Sequence, residues 1–355
     1  MIEVALDIAS LRKPGHDRGL GRYTRQLIAF FSADARFRAV PIDVVVAAGT
    51  RYSEFAEVFA RTATLARKSW DIFHTPTPYH VAPFYLQRTV VSVQDTIPLE
   101  LGEYARTGIK AKLFYNAASR ARVIVVNTQF TRARVVELLN VDEANVFSAP
   151  LPVTPGVADW AHDHCRLPDE LRRRRFVAAA VDARSHDPRK RTEWLFALAK
   201  RLATLDIAVV AFGSNSEVAP EPVIGLGRLS DSMMCEVLAH ARAFVFTSAY
   251  EGQGLPPLEA MALGTPVVAF DNTAVSEVVD GGGVLLPEPA SMHQRSPDPP
   301  REVTERLCDA VRAICDDDGW RAKLSAAAIA QARLYTPERF YRALGAAYAR
   351  AAGSG

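Results

Sequence analysis

The stretch YEGQGLPPLEAMALGTPVVAF, residues 250–270, holds two carboxylates, Glu251 and Glu259, with Gly252, Gln253, Gly254, Leu255, Pro256 and Pro257 between them. Carboxylates accept strongly from paired hydroxyls, such as those of ribose or hexose rings. The two prolines suit the first turn of a helix, LEAMAL continues it, and Gly264 stops it. Gly252 and Gly254 keep side chains out of the preceding loop, so the backbone there approaches a ligand closely. The free N–H groups and positive end of such a helix suit a phosphate or diphosphate. The plainer reading is a helix dipole complemented by Glu259 beside an exposed loop glutamate. The glycines and prolines argue against it.

These residues need a strand to deliver them. AFVFTS ends just before Tyr250 and Glu251, and it belongs to a series of short apolar runs that alternate with helical patterns. In the first half the runs are IEVALDIA, VPIDVVVAA, TVVSVQD and RVIVVNT, with helical stretches at 22–33, 107–121 and 129–139. In the second half they are FVAAAVD, DIAVVAFG, AFVFTS and PVVAF, with helices over 192–204, 231–241 and 256–263. Such alternation predicts parallel, doubly wound sheets, whose ligands sit beyond the strand ends. The rhythm breaks at SAPLPVTPGVADWAHDHCRLPDELRRRR, which reads as a linker. It divides the chain into an N-terminal domain, 1–165, and a second, 166–335.

Composition narrows the function classes. The chain has 355 residues, 49% hydrophobic and 23% charged, which suits globular domains with sizeable cores. A net charge of +2 gives no case for nucleic acid. Residues 1–150 carry 19 Lys/Arg against 14 Asp/Glu, a balance of +5, and the remainder is −3. That excess suits an anionic acceptor or peripheral contact with a membrane surface, or else is solvated surface. The four cysteines, at 165, 235, 308 and 315, form no C-x-x-C pair, and His162 and His164 lack further partners, so no metal site is expected. With no secretory signal and no apolar run near 20 residues, a cytoplasmic protein is expected, reaching at most the inner membrane face peripherally.

The stretch EGQGLPPLEAMALGTPVV resembles the nucleotide-binding signature of the retaining glycosyltransferases of family 4, where a Glu–seven residues–Glu motif lies in EGFGLPPLEAMACGTPVV or close to it. The resemblance runs from about residue 3 to 345. It implies a GT-B fold, two Rossmann-like domains facing across a cleft, with a C-terminal helix in 336–355 that crosses back to the first domain. It further implies that Glu259 binds the donor ribose and that Glu251 contacts the transferred sugar near the reacting face. Gly252, Gln253, Gly254 and Leu255 then form the donor loop. DARSHDPRKRTEW resembles the family's Gly-x-x-x-Pro-Arg-Lys-Asn region, so Arg189 and Lys190 would bind the diphosphate, with Arg184 a further candidate. GLGRYTRQL resembles the glycine-rich loop after the first strand, bringing Gly19 and Gly21 to the donor phosphates and Arg22 towards the acceptor. Thr273 is a donor contact by the same likeness, and His74 in FHTPTP either lines the acceptor site or is a satisfied structural histidine.

The implied activity is transfer of a hexosyl group, mannosyl by preference, from a GDP- or UDP-sugar to a saccharide or lipid-linked saccharide in bacterial polysaccharide or O-antigen assembly. Neither a cofactor nor a metal is implied. Two departures stand out. Gln94–Asp95 occupies the place where relatives carry His–Asp at the reaction centre, and Gln cannot exchange a proton near neutral pH. Gln94 either positions the donor sugar or marks a weakly active or non-catalytic sugar-nucleotide binder. Gln253 stands where Phe is usual. A nicotinamide-dependent oxidoreductase is disfavoured, because Thr24 replaces the third glycine of the dinucleotide fingerprint.

Overall fold

The computed structural model describes residues 1–12, 19–44, 53–101, 105–160, 167–185, 187–289 and 299–353. The chain divides into two compact units, Met1–Pro152 with Thr336–Gly355, and Val153–Tyr335. The boundary therefore falls at 152/153 and not at 165/166. The helix Pro155–Ala158 explains the shift, since it packs on the helices Asp231–His240 and Leu255–Ala262 of the second unit. His162, His164 and Cys165 lie outside the described residues.

Among the described residues, six parallel strands build the first unit: β1 (Ile2–Asp7), β2 (Phe37–Ile42), β3 (Ile72–Thr75), β4 (Thr89–Val93), β5 (Val123–Val126) and β6 (Val146–Ser148), in the order β2-β1-β3-β4-β5-β6. Every residue of β3, β4 and β5 is buried, as expected of strands covered by helices on both faces. The strand expected over 40–48 instead spans 37–42, and residues 45–48 lie outside the described set. Its Pro41 is tolerated because β2 is an edge strand. The helix Pro337–Ala351 completes this unit. Tyr348, fully buried, sets its ring 5.4, 5.5 and 5.3 Å from those of Phe30, Phe31 and Phe37. Burying a side chain of this size contributes about 1.5–3 kcal/mol.

The second unit repeats the plan with β7 (Phe176–Ala180), β8 (Ala208–Phe212), β9 (Ile224–Gly225), β10 (Phe244–Phe246), β11 (Val267–Asp271) and β12 (Gly283–Pro287), again all parallel, in the order β12-β11-β10-β7-β8-β9. Strand alternation divides its core. Phe176 and Ala178 join one apolar cluster with Leu258, Met261 and Val278, while Val177 and Ala179 join another with Trp194, Leu198 and Leu307. Strand order reverses between β1 and β3 in one sheet and between β7 and β10 in the other, opening a crevice at each pair of C-terminal ends. Among the described residues no helix is long and apolar enough to cross a membrane.

Candidate donor site in the second unit

The loops after β7 and β10 meet at the second reversal point. Asp187 caps the short turn Pro188–Lys190, accepting from the Arg189 amide at 3.2 Å and from its Nε at 2.8 Å. Arg189 also donates to the Tyr250 carbonyl at 3.0 Å, and Ala249 N donates to the Arg189 carbonyl at 2.7 Å. The two loops are thus bonded to each other, with Glu251 between them. Lys190 Nζ lies 2.5 Å from Glu251 Oε1, Arg189 Nη1 is 3.7 Å from Oε2, and Ser248 Oγ donates to Oε1 at 2.6 Å. Burial alone would raise the Glu251 carboxyl. The charges of Lys190 and Arg189, with the bonds from Lys190 and Ser248, outweigh it and hold the pKa below the usual glutamate value. Lys190 keeps 38% of its side chain exposed, so this charged group reaches solvent.

Gly254, at φ +89°, turns the chain left-handed into the helix Leu255–Ala262, with Pro256 and Pro257 in the first turn. A side chain there would meet only ordinary contacts, so backbone conformation is what requires glycine. Gly252 and Leu255 are half-buried and Gln253 is buried. Glu259 is also buried, and Thr154 Oγ1 donates to its Oε1 at 2.6 Å. Thr273, at φ +44°, accepts from Glu251 N at 3.2 Å and so fixes the loop that carries the carboxylate. The structure thus brings Arg189, Lys190, Glu251 and Thr273 together, while Glu259 has its own partner. Arg184 is exposed, and its amide donates to Asp182 Oδ1 at 3.2 Å.

Predicted residues of the first unit are placed differently. Gly19, at φ +35°, begins the helix Gly19–Ala33, where Gly21 is buried and Arg22 half-buried. His74 is fully buried, which fits the second of its two readings, a satisfied structural histidine. Its Nδ1 meets Tyr348 Oη at 2.5 Å and its Nε2 meets Ser92 Oγ at 2.8 Å, and Ser92 Oγ continues to Tyr23 Oη at 2.7 Å. Burial lowers the His74 pKa to about 3, so the imidazole is neutral at physiological pH. Gln94, at the end of β4, accepts from Asn127 Nδ2 at 2.5 Å. Asp95 accepts from Ile97 N at 3.0 Å, and its carbonyl accepts from Tyr115 Oη at 3.0 Å, a helix-starting role.

One constellation was not foreseen. Asp7, at the end of β1, sits 2.7 Å from His80 Nδ1 and 3.4 Å from Arg61 Nε, with Glu57 Oε2 3.9 Å from His80 Nε2. Burial pushes the Asp7 carboxyl up, but the bond from His80, the Arg61 guanidinium and the Ala9 amide together hold its pKa below the usual value. The available signal was an aspartate closing an otherwise apolar strand, IEVALD. Arg191 is a second such residue: at φ +48° it pairs with Glu288 and lies 4.2 Å over the Trp194 ring. Among the described residues no group of three His, Cys, Asp or Glu side chains is placed to hold a metal ion.

The fold is shared with sucrose-phosphate synthase of Thermosynechococcus elongatus, at TM-score 0.74 and 17% identity over 100% of both chains. It is also shared with Anabaena HepE, solved with UDP-glucose, at TM-score 0.68 and 17% identity over 98% of this chain and 99% of that one. Residues 177–296 match the profile of the family described as glycosyl transferases group 1. Over that segment the chain is similar to the group 1 glycosyltransferases, on the GT-B fold of these solved structures. The O-antigen chain mannosyltransferase B of Escherichia coli is 25% identical to this chain over 285 residues, 75% of this chain and 71% of that protein. The segment that matches the family profile spans β7 to β12 and contains Arg189, Lys190, Glu251, Glu259 and Thr273.

Proposed function

We propose that this chain is a glycosyltransferase that moves a hexosyl group, mannosyl by preference, from a nucleotide-sugar to a saccharide or lipid-linked saccharide hydroxyl, retaining the anomeric configuration. The observation that carries the proposal is the charged group at the second reversal point, where Arg189, Lys190 and Glu251 converge beside the Gly254 turn. Arg189 and Lys190 neutralise the departing nucleoside diphosphate, assisted by the helix N-terminus. Glu251 takes hydroxyls of the transferred sugar and Glu259 those of the ribose. Gly252, Gln253, Gly254 and Leu255 form the donor loop and Thr273 is a donor contact, while Gly19, Gly21 and Arg184 are further candidates for the phosphates. The first unit receives the acceptor, with Arg22 as its candidate contact and Gln94 and Asp95 as its candidate catalytic residues. Cationic side chains supply the leaving-group stabilisation, so the proposal uses no metal and no cofactor. Likeness to the O-antigen mannosyltransferase supports mannose and a role in polysaccharide assembly.

Thermal unfolding of the full chain with GDP, UDP, ADP or NAD tests this. One nucleoside diphosphate should raise the midpoint, stabilising the fold by about 2.7 kcal/mol at a hundred times its Kd, and Glu259→Ala should abolish the rise. Stabilisation by NAD alone, or by none of the four, sinks the donor-site reading. A second reading, a weakly active or non-catalytic sugar-nucleotide binder, is favoured by Gln94, whose Oε1 is taken by Asn127. Donor binding without transfer or hydrolysis would select it.

A further inference from the structure

The cations that the donor-site reading offers to a diphosphate already hold an anion. That anion is Glu251, the group the same reading gives to the transferred sugar. Arg189 has firm alternative partners in Asp187 Oδ2 at 2.8 Å and the Tyr250 carbonyl at 3.0 Å, and its approach to Glu251 is 3.7 Å. Lys190 Nζ instead meets Glu251 Oε1 directly at 2.5 Å. Ser248 and Thr273 fix the carboxylate and its backbone in that place.

We propose that Glu251 is an internal competitor for the donor's phosphates, holding Lys190 until a ligand with the charge of a diphosphate displaces it. Displacement then releases the carboxylate to the sugar hydroxyls. This deepens the donor-site reading and rests on it. A carboxylate tethered beside its cation competes at the high effective concentration of an intramolecular partner. A weakly charged anion gains little by replacing it, because it exchanges one ion pair for another. A diphosphate brings more charge and a second point of contact at Arg189, so it can pay the displacement. The arrangement therefore selects diphosphates over single phosphates, and couples seating of the diphosphate to readiness for the sugar.

The test is calorimetric affinity of the full chain for pyrophosphate and for inorganic phosphate, with the nucleoside diphosphate panel alongside. Wild type is compared with Glu251→Gln, Lys190→Ala and the double variant. Glu251→Gln should tighten pyrophosphate about fivefold and narrow the preference over phosphate, the scale of a partly exposed ion pair. In the Lys190→Ala background the gain should vanish. Unchanged or weaker pyrophosphate binding by Glu251→Gln overturns the proposal. So does a gain that persists without Lys190, since it reports only long-range repulsion. In both cases the donor-site reading stands if wild type binds a nucleoside diphosphate. If no variant binds pyrophosphate or any nucleoside diphosphate, both ideas fall. Glu251→Ser replaces Glu251→Gln if the latter does not fold.

Discussion

The two sheets reverse strand order in the same way, yet they treat charge at the reversal point in opposite fashion. At the β1/β3 ends, Asp7, Arg61 and His74 are fully buried, and His80 nearly so. Their polar atoms are directed at one another and at Tyr348 and Ser92. At the β7/β10 ends, Lys190 is 38% exposed and Glu251 14%, so the ion pair remains within reach of a ligand. One topology therefore serves two ends. In the first unit buried charge locks the strand ends together, and in the second it is presented. The cost differs accordingly, because a fully desolvated charge depends wholly on its partners, while a partly exposed one is relieved by water.

The sharpest way to break this comparison is Asp7→Ala. Removing the anion strands Arg61 and His80 in the interior and should cost about 3–5 kcal/mol, read from denaturant unfolding. Nucleoside diphosphate affinity of the folded variant should stay at the wild-type value. A milder loss, near that of a surface pair, would mean that water reaches the cluster and the contrast between the units is false.

A pH series sharpens the contrast. His74 stays neutral in the folded chain down to about pH 3, whereas an unfolded histidine takes its proton near 6.5. Between those values the unfolded chain binds more protons, so stability is full above 6.5 and is lost as pH falls, by about 1.4 kcal/mol per unit. Asp7, with a lowered folded pKa, adds a loss in the same direction below its ordinary value of 3.8. His74→Gln should flatten the slope between pH 6 and 4.5 in equilibrium unfolding, and an unchanged slope would assign it to other groups. The smallest effect is expected from Thr154→Val, which takes away the hydroxyl that orients Glu259. Stability should fall by about 1 kcal/mol, with weaker nucleoside diphosphate binding in the same titration. Lost stability with unchanged binding would leave Thr154 a packing residue.

Much of the second unit was legible because its signals are local. Gly254, Pro256 and Pro257 announce a helix start within four residues, and the expected helix over 256–263 is observed as Leu255–Ala262. The helix predicted over 129–139 is found at Gln129–Leu139, with Thr128 as its cap. The Asp7 cluster was illegible for the opposite reason. Its members stand at 7, 57, 61 and 80, and only the packing of the helix Ser53–Leu65 and the turn Pro78–His80 against the end of β1 makes them neighbours. His74 could be read two ways from sequence, since a histidine at a strand end looks alike whether it faces a ligand or a tyrosine. Tyr348, its partner, is 274 residues away. The domain boundary was misplaced because Pro and charge persist through 153–175, although the backbone joins the second unit from Val153, whose amide donates to the Tyr335 carbonyl at 3.1 Å.

The helix Pro337–Ala351 carries a consequence for synthesis. The first unit is discontinuous, so on the ribosome all of Val153–Tyr335 emerges before the segment that completes it. Until then Phe30 and Phe37 lack the Tyr348 ring, and His74 Nδ1 lacks its hydroxyl. The first-made half of this protein is thus the last to be finished, and it waits with an open apolar seam while its younger neighbour is already whole.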